Sequence, residues 1–308
     1  MTEVRYDGRV AIITGAGGNP GLGRAHAHLL AARGAKVVVN DLGVGPDGRG
    51  TRQSSASRVA DEIVAAGGEA IADTHDISRP DTARAVVDAA LEHWGRVDVL
   101  INNAGVVLFA DFDEVTDSDI EKMVDVHLMG TIWMCRAVWS HMKAEGYGRI
   151  VNTSSGAMFG LRHLSIYGAA KGGIFGLTRT LAIEGMSHGI NVNALGPAAH
   201  SAAVELLQDE SPLKDLFVNK LHPEQVAAVV AYLASEESSV TGMFIDAGGG
   251  AVSARVFAKT VGYANPDLTP EDLAARIELV LATDGHTLVP PLTPETGAEV
   301  VVRPYRPG

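Results

Sequence analysis

A tyrosine, a lysine and a pair of serines lie close together in the middle of the chain. Ser154 and Ser155 come first, then Tyr167, and Lys171 follows the tyrosine by four residues. If this segment is helical, residues four apart share one face, so the ammonium group stands one turn from the phenol. A neighbouring positive charge favours the phenolate and lowers the pKa of a phenol from its usual value of about 10. The pattern therefore predicts proton transfer to or from an alcohol or ketone oxygen that a serine hydroxyl holds.

The same spacing has a second interpretation, a packed tyrosine beside a solvated lysine. The elements around the two residues decide between these interpretations. Short apolar, β-branched runs alternate with helical patterns six times, which predicts a parallel sheet with helices on both faces. The predicted strands cover residues 9–14, 36–40, 69–73, 97–101, 149–153, 190–194 and 242–246. The predicted helices cover residues 22–33, 53–66, 80–94, 117–143, 164–189, 223–234 and 270–282.

This alternation predicts an α/β protein with a Rossmann-type, doubly wound parallel sheet. We expect one dinucleotide-binding catalytic domain over residues 1–250. Residues 251–308 are expected to form a C-terminal extension that packs on the core or on a neighbouring subunit. Residues 196–221 show no regular pattern and are expected to form an irregular segment over the substrate. The serine pair and the other polar turns follow the carboxyl ends of strands, where open α/β sheets bind ligands.

A glycine-rich turn follows the first strand. It runs from Gly15 to Gly23 and opens a helix, so its backbone can approach a phosphate and the helix N-terminus can offer free N–H groups. Asp41 follows the second strand, about 20 residues beyond the turn, where a ribose hydroxyl would be held. Its alternative interpretation is an ordinary loop acid, but its place at the strand tip favours the ribose. The turn and the acid together predict a dinucleotide site.

Composition limits the partners and the cellular compartment expected for the protein. The chain has 308 residues, a formal net charge of −12 and a single cysteine, Cys135. No run of about 18 apolar residues occurs, so no membrane span is expected. The negative charge argues against nucleic acid and anionic membranes as partners. One cysteine, and a polar N-terminal segment unlike a signal or transit peptide, predict a cytoplasmic protein. The Cys and His residues lack zinc-type spacing, so no metal is expected.

In combination these pieces resemble the short-chain dehydrogenase/reductase family over Gly8 to about Gly250. The matching motifs are Thr14-Gly15, Gly21-Leu22-Gly23, Asp76-Ile77, Asn102-Asn103-Ala104-Gly105, Ser154-Ser155, Tyr167 with Lys171, and Asn193 with Pro197. Within the family the chain is most similar to the D-3-hydroxyacyl-CoA dehydrogenase group, which includes hydroxysteroid dehydrogenases. That closer likeness is carried by Val38-Val39-Asn40-Asp41-Leu42-Gly43, Val126-His127-Leu128 and Leu181-Ala182-Ile183-Glu184-Gly185.

The resemblance implies a role for each matching residue. Tyr167 would be the acid/base, Lys171 would hold the nicotinamide ribose and lower the phenol pKa, and Ser155 would position the substrate oxygen. His127 stands where most of the family has the asparagine that anchors a proton-relay water, and it completes the predicted catalytic set. The predicted cofactor-binding residues are Gly15, Gly21, Leu22, Gly23, Asp41, Asp76, Ile77, Asn103, Gly105, Tyr167, Lys171 and Pro197. The implied cofactor is NAD, with NADP less favoured.

Two departures from the family pattern leave questions open. The glycine turn is longer by Asn19-Pro20, which bears on the pyrophosphate contacts, and the loop between the serines and Tyr167 is shortened. The second departure leaves Ser154 open as the substrate-positioning serine, although Ser155 is preferred.

The predicted function is hydride transfer between NAD and a secondary alcohol or ketone, with a 3-hydroxyacyl-CoA or a hydroxysteroid as substrate. One alternative is an NADPH-dependent ketoreductase, which Asp41 disfavours because it would repel a 2′-phosphate; Arg24 is the only cation near enough in sequence to offset it. The other is a non-catalytic dinucleotide-binding protein. Two helices rich in apolar residues, one bearing Trp133 and Trp139 and the other Tyr167, predict a homodimer or homotetramer.

Overall fold

The computed structural model describes residues 3–50, 55–207 and 211–288. Its centre is an eight-stranded sheet in the order β3-β2-β1-β4-β5-β6-β7-β8. The strands are β1 (Val10–Thr14), β2 (Lys36–Asn40), β3 (Glu69–Asp73), β4 (Val99–Asn102), β5 (Gly148–Thr153), β6 (Ile190–Pro197), β7 (Phe244–Gly248) and β8 (Ala251–Arg255). The first seven strands are parallel and β8 is antiparallel to β7. The strand order reverses at β1, which pairs with both β2 and β4, so a crevice forms there at the carboxyl edge.

Helices cover both faces of this sheet, as predicted. They are α1 (Leu22–Ala32), α2 (Ser55–Ala65), α3 (Pro80–Trp94), α4 (Asp117–Val124), α5 (Gly130–Glu145), α6 (Ser165–Met186), α7 (Pro212–Lys220), α8 (Pro223–Leu233) and α9 (Pro270–Leu281). One core packs α1, α2 and α8 against the sheet, and the other packs α3, α5 and α6. The predicted doubly wound α/β fold is confirmed. Within the described residues, no helix has both the length and the apolar character needed to cross a bilayer.

Several predicted elements differ from the structure. The continuous helix predicted over residues 117–143 is wrong, because a π-helical turn over Asp125–Met129 separates α4 from α5. The segment 196–221, predicted to be irregular, contains a 3₁₀ helix (Ala202–Leu206) and α7, whose N-cap Ser211 accepts the N–H of Leu213. The predicted start of α2 at residue 53 lies outside the described residues.

The last predicted strand is displaced by two residues. It was expected over residues 242–246 but covers Phe244–Gly248, because Gly242 has φ of +71°, outside the extended region. The tail was expected to hold only one helix after residue 250, yet β8 continues the sheet. Gly249 and Gly250, with φ of +59° and +78°, form a two-residue hairpin turn that requires positive φ at both positions. The predicted domain boundary at residue 250 falls within this hairpin.

Beyond the hairpin, the described part of the extension, residues 251–288, leaves many of its apolar side chains exposed on its own chain. Every residue of β8 is exposed, and α9 has no buried residue. Val261 is 74% exposed and Leu281 is 67% exposed. A large set of exposed apolar side chains in one region marks a contact surface.

Candidate active site

A cavity of about 790 Å³ lies along the carboxyl edge of the sheet, where the strand order reverses. Nearly all of the predicted site residues line it. They are Gly15, Gly21, Leu22, Asp41, Asp76, Ile77, Asn103, Gly105, His127, Ser155, Tyr167, Lys171 and Pro197. Gly23 does not line the cavity. It lies below the turn, where a Cβ would stand 2.5 Å from both Nδ2 of Asn103 and the carbonyl oxygen of Gly15, so this glycine permits close packing of α1.

The glycine turn has the shape of a phosphate cradle. Gly15 has φ of +64°, and a Cβ at Gly21 would stand 2.5 Å from the carbonyl oxygen of Gly18. Gly21 is the N-cap of α1 and provides no capping side chain, so the first N–H groups of the helix remain available. These features fit a dinucleotide pyrophosphate. The inserted Asn19-Pro20 pair extends the turn toward the substrate side, where the carbonyl of Pro20 accepts the N–H of Ala202 at 3.1 Å.

Asp41 holds the turn from the tip of β2. Its Oδ2 accepts the N–H of Gly17 at 2.8 Å, and its Oδ1 accepts the N–H of Gly43 at 2.7 Å and the hydroxyl of Ser55 at 3.0 Å. Arg58 donates to the carbonyl oxygen of Gly17 at 3.1 Å. Sequence reasoning missed Ser55 and Arg58. Both lie on α2, which no motif marks, and only the return of the chain beside the glycine turn brings them to the cavity.

The sequence offered Arg24 as a cation for the cofactor, but in the structure Arg24 pairs with a carboxylate instead. Its guanidinium pairs with Glu62 at 2.7 Å, and the same carboxylate oxygen lies 3.0 Å from Nε2 of His28. Arg24 is also absent from the cavity lining. It is therefore held on the outer surface between α1 and α2.

Lys171 lines the cavity but is buried, with 2% of its surface exposed. Its Nζ donates to the carbonyl oxygen of Thr153 at 2.6 Å and lies 5.5 Å from the centre of the Tyr167 ring. In the part of the chain that the structure describes, no carboxylate forms an ion pair with it. Burial lowers the pKa of Lys171 to about 7. This lysine therefore titrates near neutral pH.

The Tyr167 phenol differs from the expectation of a lowered pKa. Burial raises the pKa of Tyr167, and the hydrogen bond with Ser155, which acts in the opposite direction, does not offset it. The physical reason is that phenolate loses its hydration in this pocket, while the Lys171 ammonium points to the Thr153 carbonyl. Burial therefore keeps the Tyr167 phenol protonated at neutral pH.

The two serines have different surroundings. Ser154 is fully buried, and its Oγ donates to the carbonyl oxygen of Lys171 at 2.8 Å. Ser155 lines the cavity together with Tyr167, and it caps a 3₁₀ helix over Gly156–Phe159 by accepting the N–H of Ala157. This geometry favours Ser155 as the serine that meets a substrate, while its catalytic role stays a prediction.

His127 lies within the π-helical turn, beside Tyr167. The two rings meet edge to face with centroids 5.1 Å apart, and Nε2 of His127 donates to the carbonyl oxygen of Val106 at 2.6 Å. Its Nδ1 is buried and without a partner among the described residues. Burial first, and then the Lys171 charge, lower the pKa of His127 well below its usual value, so the ring is neutral. Gly105 permits this approach, since a Cβ there would stand 2.5 Å from Cε1 of His127.

The far side of the cavity is apolar. Its lining residues there are Phe109, Leu161, Leu164, Val204, Leu207, Leu213 and Phe217. They come from the loops that follow β4 and β5 and from the segment that carries α7. Such a wall suits an apolar substrate body. Among the described residues, no group of three or more His, Cys, Asp or Glu side chains is arranged to hold a metal ion.

Comparison with known proteins gives consistent results. The family model described as short chain dehydrogenase matches residues 9–211. Peroxisomal multifunctional enzyme type 2 of Drosophila melanogaster is 43% identical over 249 residues, which is 80% of this chain and 40% of that protein. Peroxisomal hydratase-dehydrogenase-epimerase of Saccharomyces cerevisiae is 40% identical over 274 residues, 87% of this chain and 29% of that protein. The chain therefore spans less than half the length of these curated relatives.

A solved structure matches over nearly its full length. The crystal structure of a short chain dehydrogenase from Mycobacterium avium superposes with a TM-score of 0.77 at 37% identity, covering 89% of this chain and 95% of the other. The similarity thus extends over the sheet and the helices that carry the cavity.

Proposed function

Because the chain belongs to the short-chain dehydrogenase family, we propose that it transfers a hydride between NAD and a secondary alcohol or ketone. The family consists of oxidoreductases that bind nicotinamide dinucleotides. The proposed substrate is a 3-hydroxyacyl-CoA or a hydroxysteroid. The observation that carries this proposal is the meeting of Ser155, Tyr167 and Lys171 on one cavity that joins a phosphate cradle to an apolar wall.

Each residue has a definite task in this proposal. The glycine turn and the N-terminus of α1 would hold the pyrophosphate, Asp41 a ribose hydroxyl, and Lys171 the nicotinamide ribose. When bound, NAD supplies the hydride acceptor. Ser155 donates a hydrogen bond to the substrate oxygen, and Tyr167 takes the proton from that oxygen in oxidation or returns it in reduction. In this proposal the Lys171 ammonium, 5.5 Å from the centre of the Tyr167 ring, stabilises the phenolate once it forms.

The apolar wall supports a lipid-like substrate body. An acyl chain or a steroid would bury its hydrocarbon against Phe109, Leu161 and Leu213. A CoA thioester would also require cations at the mouth for its phosphates. Lys122 and Arg58, which line the cavity, are the candidates.

Two alternatives are less well supported. An NADPH-dependent ketoreductase would have to accommodate the 2′-phosphate beside the Asp41 carboxylate. A non-catalytic dinucleotide-binding protein would have no need for a serine and a tyrosine that line one cavity beside a buried lysine. Turnover of any alcohol with NAD would exclude the second alternative.

A panel of substrates tests the proposal. Acyl-CoA, steroid and small secondary alcohols are each offered with NAD, and formation of NADH is followed by absorbance. We expect turnover of an alcohol with a large apolar body and little of the small alcohols. Ser155→Ala should reduce kcat strongly, and Ser154→Ala serves as the matched control with a much smaller effect. Failure of every alcohol and ketone with both cofactors would contradict the proposal.

We also propose that the protein is a homodimer or homotetramer in which the extension covers a neighbouring subunit. The exposed apolar side chains of β8 and α9 support this, because such surface is rarely left in water. Light scattering of the full chain at micromolar concentration should give the mass of a dimer or a tetramer. A monomeric mass would refute the proposed assembly without affecting the proposed chemistry.

A further inference from the structure

Two side chains of opposite charge hold the same residue of the glycine turn. Asp41 accepts the N–H of Gly17 at 2.8 Å, and Arg58 donates to the carbonyl oxygen of Gly17 at 3.1 Å. Both side chains line the cavity. In a dinucleotide fold, the acid at the tip of the second strand marks the position of the ribose 2′-hydroxyl. Because Arg58 and this acid contact the same residue, the guanidinium lies close to the position that a 2′-phosphate would take.

The Asp41 carboxylate has little capacity left. Besides Gly17, it accepts hydrogen bonds from the N–H of Gly43 and the hydroxyl of Ser55. A carboxylate offers about four acceptor positions, so three are already used. About one position remains for a ribose hydroxyl. Asp41 thus fixes the turn as well as facing the ribose, and it places a negative charge beside the 2′ position.

Arg58 has most of its capacity available. A guanidinium has five N–H donors, and the contact with Gly17 uses one of them. No ion pair joins Arg58 to a carboxylate in the described ranges. Arg24, the arginine at the start of α1, is bound by Glu62 and does not line the cavity. Among these two, only Arg58 is free to form the paired hydrogen bonds that guanidinium groups make with phosphate.

We infer that Arg58 is a second determinant of cofactor choice. Its guanidinium can bind an adenosine 2′-phosphate, and the negative charge of Asp41 opposes that binding. The inference rests on the proposed function, since it requires an adenine dinucleotide in this cavity. In the natural protein the two charges oppose each other and NAD is preferred. Removing the charge of Asp41 alone leaves Arg58 unopposed, so the protein gains affinity for the 2′-phosphate without any new residue.

Binding of two cofactor fragments tests this without catalysis. Isothermal titration calorimetry of the full chain measures Kd for 5′-AMP and for 2′,5′-ADP, which differ only by the phosphate. We expect Asp41→Asn to improve the affinity for 2′,5′-ADP relative to 5′-AMP by about tenfold, the size of a charge-assisted hydrogen bond. Adding Arg58→Met should abolish the gain. Adding Arg24→Met, the matched control, should preserve it.

A single variant keeps the test valid if Asp41→Asn does not fold. Arg58→Met in the natural background should reduce the affinity for 2′,5′-ADP several-fold more than that for 5′-AMP. If the ratio of the two affinities is unchanged in Arg58→Met, or if Arg24→Met removes the gain as completely, the inference is overturned while the proposed function stands. If the natural protein binds neither fragment, the proposed function fails and the inference fails with it.

Discussion

The two ends of the central strands are built differently. At the amino edge, the buried carboxylate of Asp98 accepts hydrogen bonds from Arg9, from Arg96 and from the N–H of Val10. Burial alone would raise the pKa of Asp98, but these bonds outweigh it and hold the pKa below its usual value. The ring of Tyr147 lies between the guanidinium groups of Arg9 and Arg149, at 3.7 and 4.3 Å. The Asp98 carboxylate at this edge is thus paired with two arginines.

At the carboxyl edge, polar groups are buried without partners. In the described residues these include Oδ1 of Asn102, Oγ1 of Thr153 and Nδ1 of His127, all at or beyond the ends of β4 and β5. Lys171 lies among them without a carboxylate. An unpaired buried polar group costs stability, so such a cluster persists where something else requires it. The amino edge contributes stability, and the carboxyl edge keeps polar groups available for a ligand.

Removing the phenol hydroxyl of one tyrosine at each edge should give the largest difference in kcat between the two edges. Tyr167→Phe keeps the ring but removes the group that moves the proton, so we expect kcat to fall by roughly 10²- to 10⁴-fold with NADH binding retained. Tyr147→Phe, the matched control at the amino edge, should leave kcat within about twofold. Steady-state kinetics and NADH fluorescence titration measure both. Near-normal turnover of Tyr167→Phe would favour a dinucleotide-binding protein without catalysis.

Breaking the paired edge should have the next largest effect, on stability alone. Asp98→Asn leaves Arg9 and Arg96 without their buried carboxylate, and we expect the free energy of unfolding to fall by roughly 3 kcal/mol. Asp272→Asn on α9 is the control. Asp272 also pairs with an arginine, Arg276, but at the surface, and its substitution should cost much less stability than that of Asp98. Urea unfolding followed by circular dichroism measures both, and equal losses would refute the contrast between a buried and a surface pair.

Removing Lys171, the buried lysine without a carboxylate partner, should stabilise the protein. The pKa of Lys171 is about 7 when folded and about 10.4 when unfolded, so below pH about 7 folding keeps a charge in a dry site. Between these values the unfolded chain binds more protons, and stability therefore rises with pH. Lys171→Met should increase the free energy of unfolding at pH about 7 by on the order of 3 kcal/mol. This figure already subtracts the lost hydrogen bond to the Thr153 carbonyl. The gain should fade toward pH about 10, and a gain independent of pH would contradict this account.

The sequence predicts some elements to the residue. The strands Lys36–Asn40 and Glu69–Asp73 and the helix Pro80–Trp94 agree with prediction at both ends. The helix begins with Pro80 at its first position, and the residue after its last turn is Gly95, which has φ of +76°. Local signals therefore suffice to predict both ends of this helix. The cavity lining was also predictable, because motifs at strand ends converge on one edge.

Other features depend on contacts between distant segments. The π-helical turn that carries His127 has no sequence signature, and its ring is held by the Val106 carbonyl. Arg58 reaches the cavity only because α2 packs beside the glycine turn. The pKa of Tyr167 was predicted with the wrong sign of shift, because the sequence shows the lysine but does not show that burial outweighs it. Burial and orientation are tertiary properties.

A last comparison concerns a buried polar side chain that lies outside the cavity. His26 is on α1, fully buried, and both of its ring nitrogens lack partners in the described part of the chain. Burial lowers its pKa to about 3, against about 6.5 in an unfolded chain. Between these values the unfolded chain binds the extra proton, so stability falls as pH drops below about 6.5.

His26→Leu should remove this acid sensitivity. We expect a gain in the free energy of unfolding of about 2 kcal/mol at pH about 5, shrinking to near zero as the pH rises to about 6.5, with kcat unchanged. His28→Leu is the control, since His28 is half-exposed and lies 3.0 Å from Glu62, and it should give no such gain. Urea unfolding across this pH range measures both. A loss of turnover in His26→Leu would show that the functional region of the carboxyl edge extends beyond the cavity into α1, whereas a pure gain in stability would confine that region to the cavity lining.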